Sequence, residues 1–188
     1  ARSGLLVTCS KGIHGVPMAN HVMGYMLAFL RRFPELAANQ KKHTWVRPMP
    51  DEATGKRICI IGMGNIGQEI ARVAKTFDMF VSGIRRTQTP VEFVDEIRPT
   101  EALDAVLAKA DFTIMLLPIN EQTRGFMTTQ RFAAMKPGSY FINVGRGQTV
   151  DEAALADALR SGHLGGAALD AFEEEPLPED SPLWDMPN

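Results

Sequence analysis

From Arg57 to Phe172 the chain alternates short, almost wholly apolar runs with longer stretches in which apolar residues recur every three or four positions. The runs RICII (57–61), MFVSGI (79–84), FTIMLL (112–117), SYFINV (139–144) and GAALDAF (166–172) read as buried strands, and FVDEI (93–97) as a short further one. Between them NIGQEIARVAKTF (65–77) reads as a helix, with Ile66, Ile70, Val73 and Phe77 on one face. EALDAVLAKA (101–110), TTQRFAAMK (128–136) and DEAALADALRSG (151–162) read as helices too. Their ends carry matching signals: Thr100 and Thr128 or Thr129 as N-caps, acids opening the last helix, and Gly138 and Gly162 after helix ends. The first 56 residues have a different texture. LLVT (5–8) is a strand candidate, followed by the Gly-rich loop SKGIHG. Pro17 then stands as a first helical residue before Val22, Met23, Met26, Leu27 and Leu30 at helical spacing. Pro34 begins a second helical stretch, PELAANQKKHTW, and residues 46–56 form a polar, Pro-containing loop. The tail after Phe172 is Pro-rich and irregular.

Strands that alternate with helices imply a parallel sheet covered on both faces: a Rossmann-type, doubly wound, three-layer α/β/α fold. Right-handed crossovers place the C-terminal ends of all strands on one edge, where ligands of open α/β sheets bind. The loop after Ile61, the residues after Ile84, Pro118 and Arg146 all fall on that edge. The expected organisation is one dinucleotide-binding domain over 1–188, with 1–16 as a hinge-side segment.

Composition narrows the function classes. With 45% apolar residues among 188 and a formal net charge of −2, the chain has ample core and no basic surface for nucleic acid. Its two cysteines, Cys9 and Cys59, have no metal-ligand spacing, so no metal site is expected. Cys59, inside ICII, reads as a reduced core thiol, which fits a cytoplasmic setting. The start shows no charged-then-apolar leader, and no apolar stretch is long enough to cross a bilayer.

Candidate chemistry sits at the strand tips. Gly62-Met63-Gly64-Asn65-Ile66-Gly67 matches G-x-G-x-x-G between a strand and a helix. Gly62 permits the tight turn, Gly64 lets backbone approach a pyrophosphate, and Gly67 lets helix and strand pack closely. The phosphates would meet unpaired N–H groups at the helix start. An acid about twenty residues on commonly binds the ribose 2′-OH of NAD. Here Arg85, Arg86 and Thr87 stand in that place. Guanidinium groups attract a 2′-phosphate where a carboxylate would repel it, so NADP(H) is the expected cofactor. Arginine also stacks on adenine, which keeps NAD(H) as the second choice. Arg146 lies between Gly145 and Gly147, residues that let backbone approach a ligand and take unusual angles. Its guanidinium suits a substrate carboxylate and a neighbouring carbonyl; a surface arginine is the equal alternative on chemistry alone. Asp170 could accept a hydrogen bond from the nicotinamide carboxamide. One of Glu173, Glu174 and Glu175 could orient a histidine, or all three could line a solvated loop. Of the four histidines, His14 and His21 flank the first helix, His43 lies in the second and His163 in a turn. Each is a poor general acid, His14 the least poor.

Together GIHGVPMANHVMGYMLAFLRR, GKRICIIGMGNIGQEIARVAKTF, LLPINEQTRGFM, MKPGSYFINVGRGQTVDEAALADAL and GHLGGAALDAFEEEPLPEDSPLWDMPN resemble the D-isomer-specific 2-hydroxyacid dehydrogenases. That family includes phosphoglycerate dehydrogenases and glyoxylate/hydroxypyruvate reductases. The resemblance implies reversible hydride transfer between NADP(H) or NAD(H) and a D-2-hydroxy acid/2-oxo acid pair. It implies that Arg146 binds substrate, that Glu175 pairs with a catalytic histidine, and that Asp170 lies on the nicotinamide side. It places Asn65 and Ile66 on the pyrophosphate, Leu117, Pro118 and Thr123 along the cofactor, and Val144 and Gly145 at the nicotinamide pocket. It also implies a homodimer built with the first helix. Asn20 stands where the family has Glu, Asn120 where it has Thr, and Arg85 where it has Asp. Members begin with a substrate-domain segment and continue past the PN pair to the Pro-His of the general acid. The chain is therefore expected to be the dinucleotide-binding domain of a longer two-domain enzyme, nearly inactive alone. The alternative within the superfamily is a nucleotide-sensing corepressor; another Rossmann enzyme, such as an amino acid dehydrogenase, fits VGRG and EEEPLP poorly.

Overall fold

The computed structural model describes Thr8 and residues 12–188. Cys9 and most of the 5–8 strand candidate lie outside the described residues; Thr8 is exposed and in no strand. Helices α1 (Gly15–Leu30) and α2 (Phe33–Lys41) precede a run of strands and helices. These are β1 (Arg57–Ile61), α3 (Asn65–Lys75), β2 (Phe80–Ile84), β3 (Glu96–Arg98), α4 (Leu103–Leu107), β4 (Phe112–Met115), α5 (Thr129–Ala134), β5 (Tyr140–Asn143), α6 (Glu152–Arg160) and β6 (Gly166–Leu169). The six strands form one sheet in the order β3-β2-β1-β4-β5-β6, every pair parallel. This is the doubly wound fold expected from the alternation. The order turns back on itself between β1 and β4, which opens a crevice at their C-terminal ends.

Both faces of the sheet are dry, and the pleat sorts the side chains. Ile58 and Ile60 of β1 join Val22, Met26, Ile70 and Ile114 under α1 and α3. Cys59 and Ile61 join Leu107, Met115, Phe141 and Leu155 under α4, α5 and α6. Cys59 is a free thiol with no exposed surface, and burial pushes its pKa up. Among the described residues no helix is long and apolar enough to cross a membrane.

Several element ends differ from the sequence reading. α1 begins at Gly15, with Pro17 its third residue. The missing N–H falls among the unpaired donors of a first turn, so nothing is lost. α2 ends at Lys41, and His43 takes a left-handed φ of 51°. β3 starts three residues later than expected because Phe93 sits at φ 64° in a turn. Asp95 then ties that turn down, accepting from Val81 N at 2.7 Å and pairing with Lys75 at 2.9 Å. Thr100 opens a 3₁₀ turn and makes no capping bond. Thr128 and Asp151 do cap: their side chains accept from Arg131 N and Ala154 N, at 3.4 and 3.0 Å.

The contact that sets α3 against β1 is steric. A Cβ at Gly67 would lie 2.4 Å from the Gly62 carbonyl oxygen and 3.3 Å from Ile60 and Leu116 side-chain carbons. Gly67→Ala is expected to destabilise the fold by about 1–3 kcal/mol through overpacking. Urea denaturation should show it as a lower midpoint at unchanged m-value.

Candidate functional site

The β1–α3 turn has the geometry a phosphate cradle needs. Gly62 takes a φ of 111°, open only to glycine in practice, and its N–H donates to Ile84 O across the sheet. Gly64 is exposed, and a Cβ placed there would meet nothing within 4 Å. No side chain caps α3, whose N-cap is Gly64 itself, so its first N–H groups stay available. Gly62, Gly64, Asn65, Ile66 and Gly67 line an open cavity of about 620 Å³ with Leu117, Pro118 and His14. These residues fit a pyrophosphate held on the helix start.

Beside this turn, Arg85 is half-buried at the tip of β2, its N–H donating to Arg98 O at 3.1 Å. Arg86 and Thr87 are exposed. Neither arginine pairs with a carboxylate among the described residues.

Beyond β4, Thr123 braces the loop: its hydroxyl donates to Pro118 O at 2.6 Å and accepts from Asn120 N at 2.8 Å. It shapes the segment that carries Pro118 and does not line the cavity. Val144 is 8% exposed and packs in the core with α1.

Arg146 follows β5 on a strongly held backbone. Its carbonyl accepts from Asn143 Nδ2 at 3.2 Å, Thr149 Oγ1 at 2.6 Å and Thr149 N at 3.1 Å. Asn143 Oδ1 also accepts from Gly145 N at 3.0 Å. Asn143 and Thr149 have no exposed surface, whereas the Arg146 side chain is exposed and folds back onto Gly145 O at 2.8 Å. The flanking glycines do not take the unusual angles expected of them; neither has positive φ. They are needed for space. A Cβ at Gly145 would lie 3.0 Å from Leu117 O, and one at Gly147 only 1.8 Å from Phe172 C.

That close approach brings the last loop to the same edge. Gln148 Nε2 donates to Glu173 O at 3.0 Å, and Glu173 N donates to Glu152 Oε1 at 2.6 Å. Burial raises the Glu152 pKa. Glu175 accepts from Phe172 N at 3.0 Å, so its carboxylate is held by its own loop. Asp170 is exposed, with its N–H donating to Asn143 O at 2.9 Å.

The structure corrects the reading of one histidine and places another. His21 lies within α1, not at its flank, and its Nε2 is 3.4 Å from Asp170 Oδ1. His14, just before α1, lines the cavity at the glycine turn. The sequence reading also missed Asn143, Thr149 and Glu152. The first two look like ordinary strand and turn residues, and only their position on either side of VGRG hints at a clamp.

A sequence profile described as "D-isomer specific 2-hydroxyacid dehydrogenase, NAD binding domain" matches residues 23–188. The chain belongs to that family. A D-3-phosphoglycerate dehydrogenase of Mycobacterium tuberculosis is 37% identical over 196 residues, covering 99% of this chain and 35% of the relative. A glyoxylate/hydroxypyruvate reductase B of Escherichia fergusonii is 39% identical over 178 residues, covering 91% and 55%. The crystal structure of an NADPH-dependent glyoxylate/hydroxypyruvate reductase from Sinorhizobium meliloti, in complex with NADP and sulfate, is 37% identical. It superposes with a TM-score of 0.88, covering 96% of this chain and 58% of that one. The chain thus spans from about a third to somewhat over half of these relatives' length. The family assigned from the five quoted segments is the family found, and the chain is its NAD-binding domain.

In this dehydrogenase domain the Asn143 clamp gives a direct test. Asn143→Leu keeps the volume but leaves Gly145 N without its acceptor. A loss of about 1–3 kcal/mol in stability is expected. Hydrogen exchange should show the Gly145 amide losing protection before those of β1.

Proposed function

We propose that this domain binds NADP(H) in preference to NAD(H) and serves reduction of a 2-oxo acid to its D-2-hydroxy acid. The observation that carries this reading is the unpaired arginine pair Arg85–Arg86 beside an open glycine turn. A 2′-phosphate placed there would accept from two guanidinium groups that, among the described residues, have no carboxylate to compete for them. Relatives with NADP or NADPH in their crystal structures support the choice. Gly62, Gly64, Asn65, Ile66 and Gly67 would hold the pyrophosphate, with Leu117 and Pro118 against the nucleotide and Val144 beneath its nicotinamide end. A bound nicotinamide nucleotide supplies the hydride. The chain's own residues bind and orient: Arg146 takes the substrate carboxylate and polarises its carbonyl, and Asp170 accepts from the carboxamide. Glu175 orients the general acid, the histidine to which the family resemblance assigns that role. The corepressor alternative draws no support from the relatives described, which are dehydrogenases and reductases.

The partner proposed for the domain is a second copy, met through α2 rather than through the first helix, whose Val22, Met23, Met26 and Leu30 are buried in this chain's own core. Phe33, Leu36, Trp45 and Val46 line one exposed depression around α2, with Trp45 86% exposed. An apolar surface of this kind marks an interaction site. Light scattering is expected to give a dimer, and Trp45→Glu to shift it toward monomer. A wild-type monomer across micromolar concentrations would overturn the assignment.

For the cofactor, nucleotide fluorescence titrations should show NADPH binding more tightly than NADH. Arg85→Asp/Arg86→Ala should weaken NADPH by about tenfold or more, as expected for losing charge-assisted hydrogen bonds. NADH should be left nearly unchanged. Tighter NADH binding by the wild type would make both arginines simple surface residues.

A further inference from the structure

Asp170 is anchored at the cleft edge by its backbone, and its side chain meets α1. The contact there is His21, whose Nε2 lies 3.4 Å from Asp170 Oδ1, with both side chains partly open to solvent, at 41% and 47%. The imidazole is steadied by Tyr25, one turn on along α1, with ring centroids 4.5 Å apart and planes at 67°. Burial, and then the charge of Asp170, raise the Tyr25 pKa, so Tyr25 stays neutral and leaves the pair as one imidazole against one carboxylate. Among the described residues, Asp170 and Tyr25 are the titratable groups in contact with His21.

We propose that His21 is a positioning residue for Asp170: from α1 it holds one carboxylate oxygen and leaves the other to accept from the nicotinamide carboxamide. This rests on the reading of Asp170 as the nicotinamide-side carboxylate. A carboxylate on a short side chain at a strand tip otherwise rotates freely in water. A donor on the far side fixes its plane. Nε2 can donate to that oxygen when it carries a proton. The hold is partly exposed and screened, so its effect is modest.

The test uses this chain with two probes: NADPH, and 2′-phospho-ADP-ribose, which has every contact except nicotinamide. Calorimetric titrations are run on wild type, His21→Leu, His21→Gln and Asp170→Asn. His21→Leu is expected to weaken NADPH about two- to fivefold, the size of a partly exposed ion pair. It should leave 2′-phospho-ADP-ribose unchanged. His21→Gln, a neutral donor, should restore affinity. If Asp170→Asn weakens NADPH selectively while His21→Leu does nothing, the role of His21 is overturned and that of Asp170 stands. If Asp170→Asn is also silent, the Asp170 reading fails and the inference with it. Equal weakening of both probes by His21→Leu would show a structural effect on α1 and overturn the proposal. Failure of wild type to bind either probe would overturn the proposed function itself.

Discussion

Three glycines meet at Leu116, and the cleft depends on that meeting. Leu116 leaves the ladder at the tip of β4, with its N–H still bonded to Ile61 O at 2.9 Å. Cβ positions built at Gly62, Gly67 and Gly145 would lie 3.2 Å from Leu116 Cβ, 3.3 Å from its Cδ1 and 3.3 Å from its carbonyl carbon. Side chains at these three positions would push apart the β1 turn, the start of α3 and the end of β5. The sheet order reverses between β1 and β4, so this is where the crevice opens. Close packing under the crevice lets the backbone of the turn, rather than side chains, present itself to a ligand.

The same division between fixed backbone and free side chain recurs at Arg146. Its carbonyl takes three donors from two fully buried residues, while its guanidinium stays exposed. Burying Asn143 and Thr149 is tolerable because their polar atoms are paired. A long, flexible side chain placed on a loose loop would lose entropy on binding. Placed on a clamped one, only the side chain has to settle.

Local pattern made the fold legible. β1, β2, β4, β5 and β6 announce themselves as apolar runs, and Thr128, Asp151, Gly138 and Gly162 mark helix ends by chemistry that acts within a few residues. The glycine turn was readable for the same reason, since its roles are set by neighbours in sequence. What escaped was non-local or steric. The contact between His21 and Asp170 joins the first helix to the last strand, and no spacing rule connects them. Gly147 reads as a residue free to take unusual angles, yet what it supplies is space against Phe172. β3 was displaced because the left-handed turn at Phe93 falls on a residue that rarely adopts one.

Strand order then arranges charge along the edge in a sequence that the linear chain scrambles. Reading from β2 through β1, β4 and β5 to β6, the tips present Arg85 and Arg86, the glycine turn, Pro118, Arg146 and Asp170. At the usual strand separation these five tips span about 19 Å. Among the described residues, the cations without a carboxylate partner on this edge sit at β2 and β5, and the carboxylate at β6 has an imidazole beside it. An extended anionic nucleotide laid along this edge would meet positive charge at one end and a backbone cradle at its diphosphate. At its far end an acceptor stands next to the arginine. Arg146 and Asp170 therefore sit on neighbouring strand tips. That adjacency follows from β5 and β6 pairing in register, with Asn143 opposite Leu169 and Asp170 bonded to Asn143 O. Asn143 is thus shared: its side chain clamps the Arg146 backbone and its carbonyl holds that of Asp170, so one buried residue fixes two neighbouring strand tips.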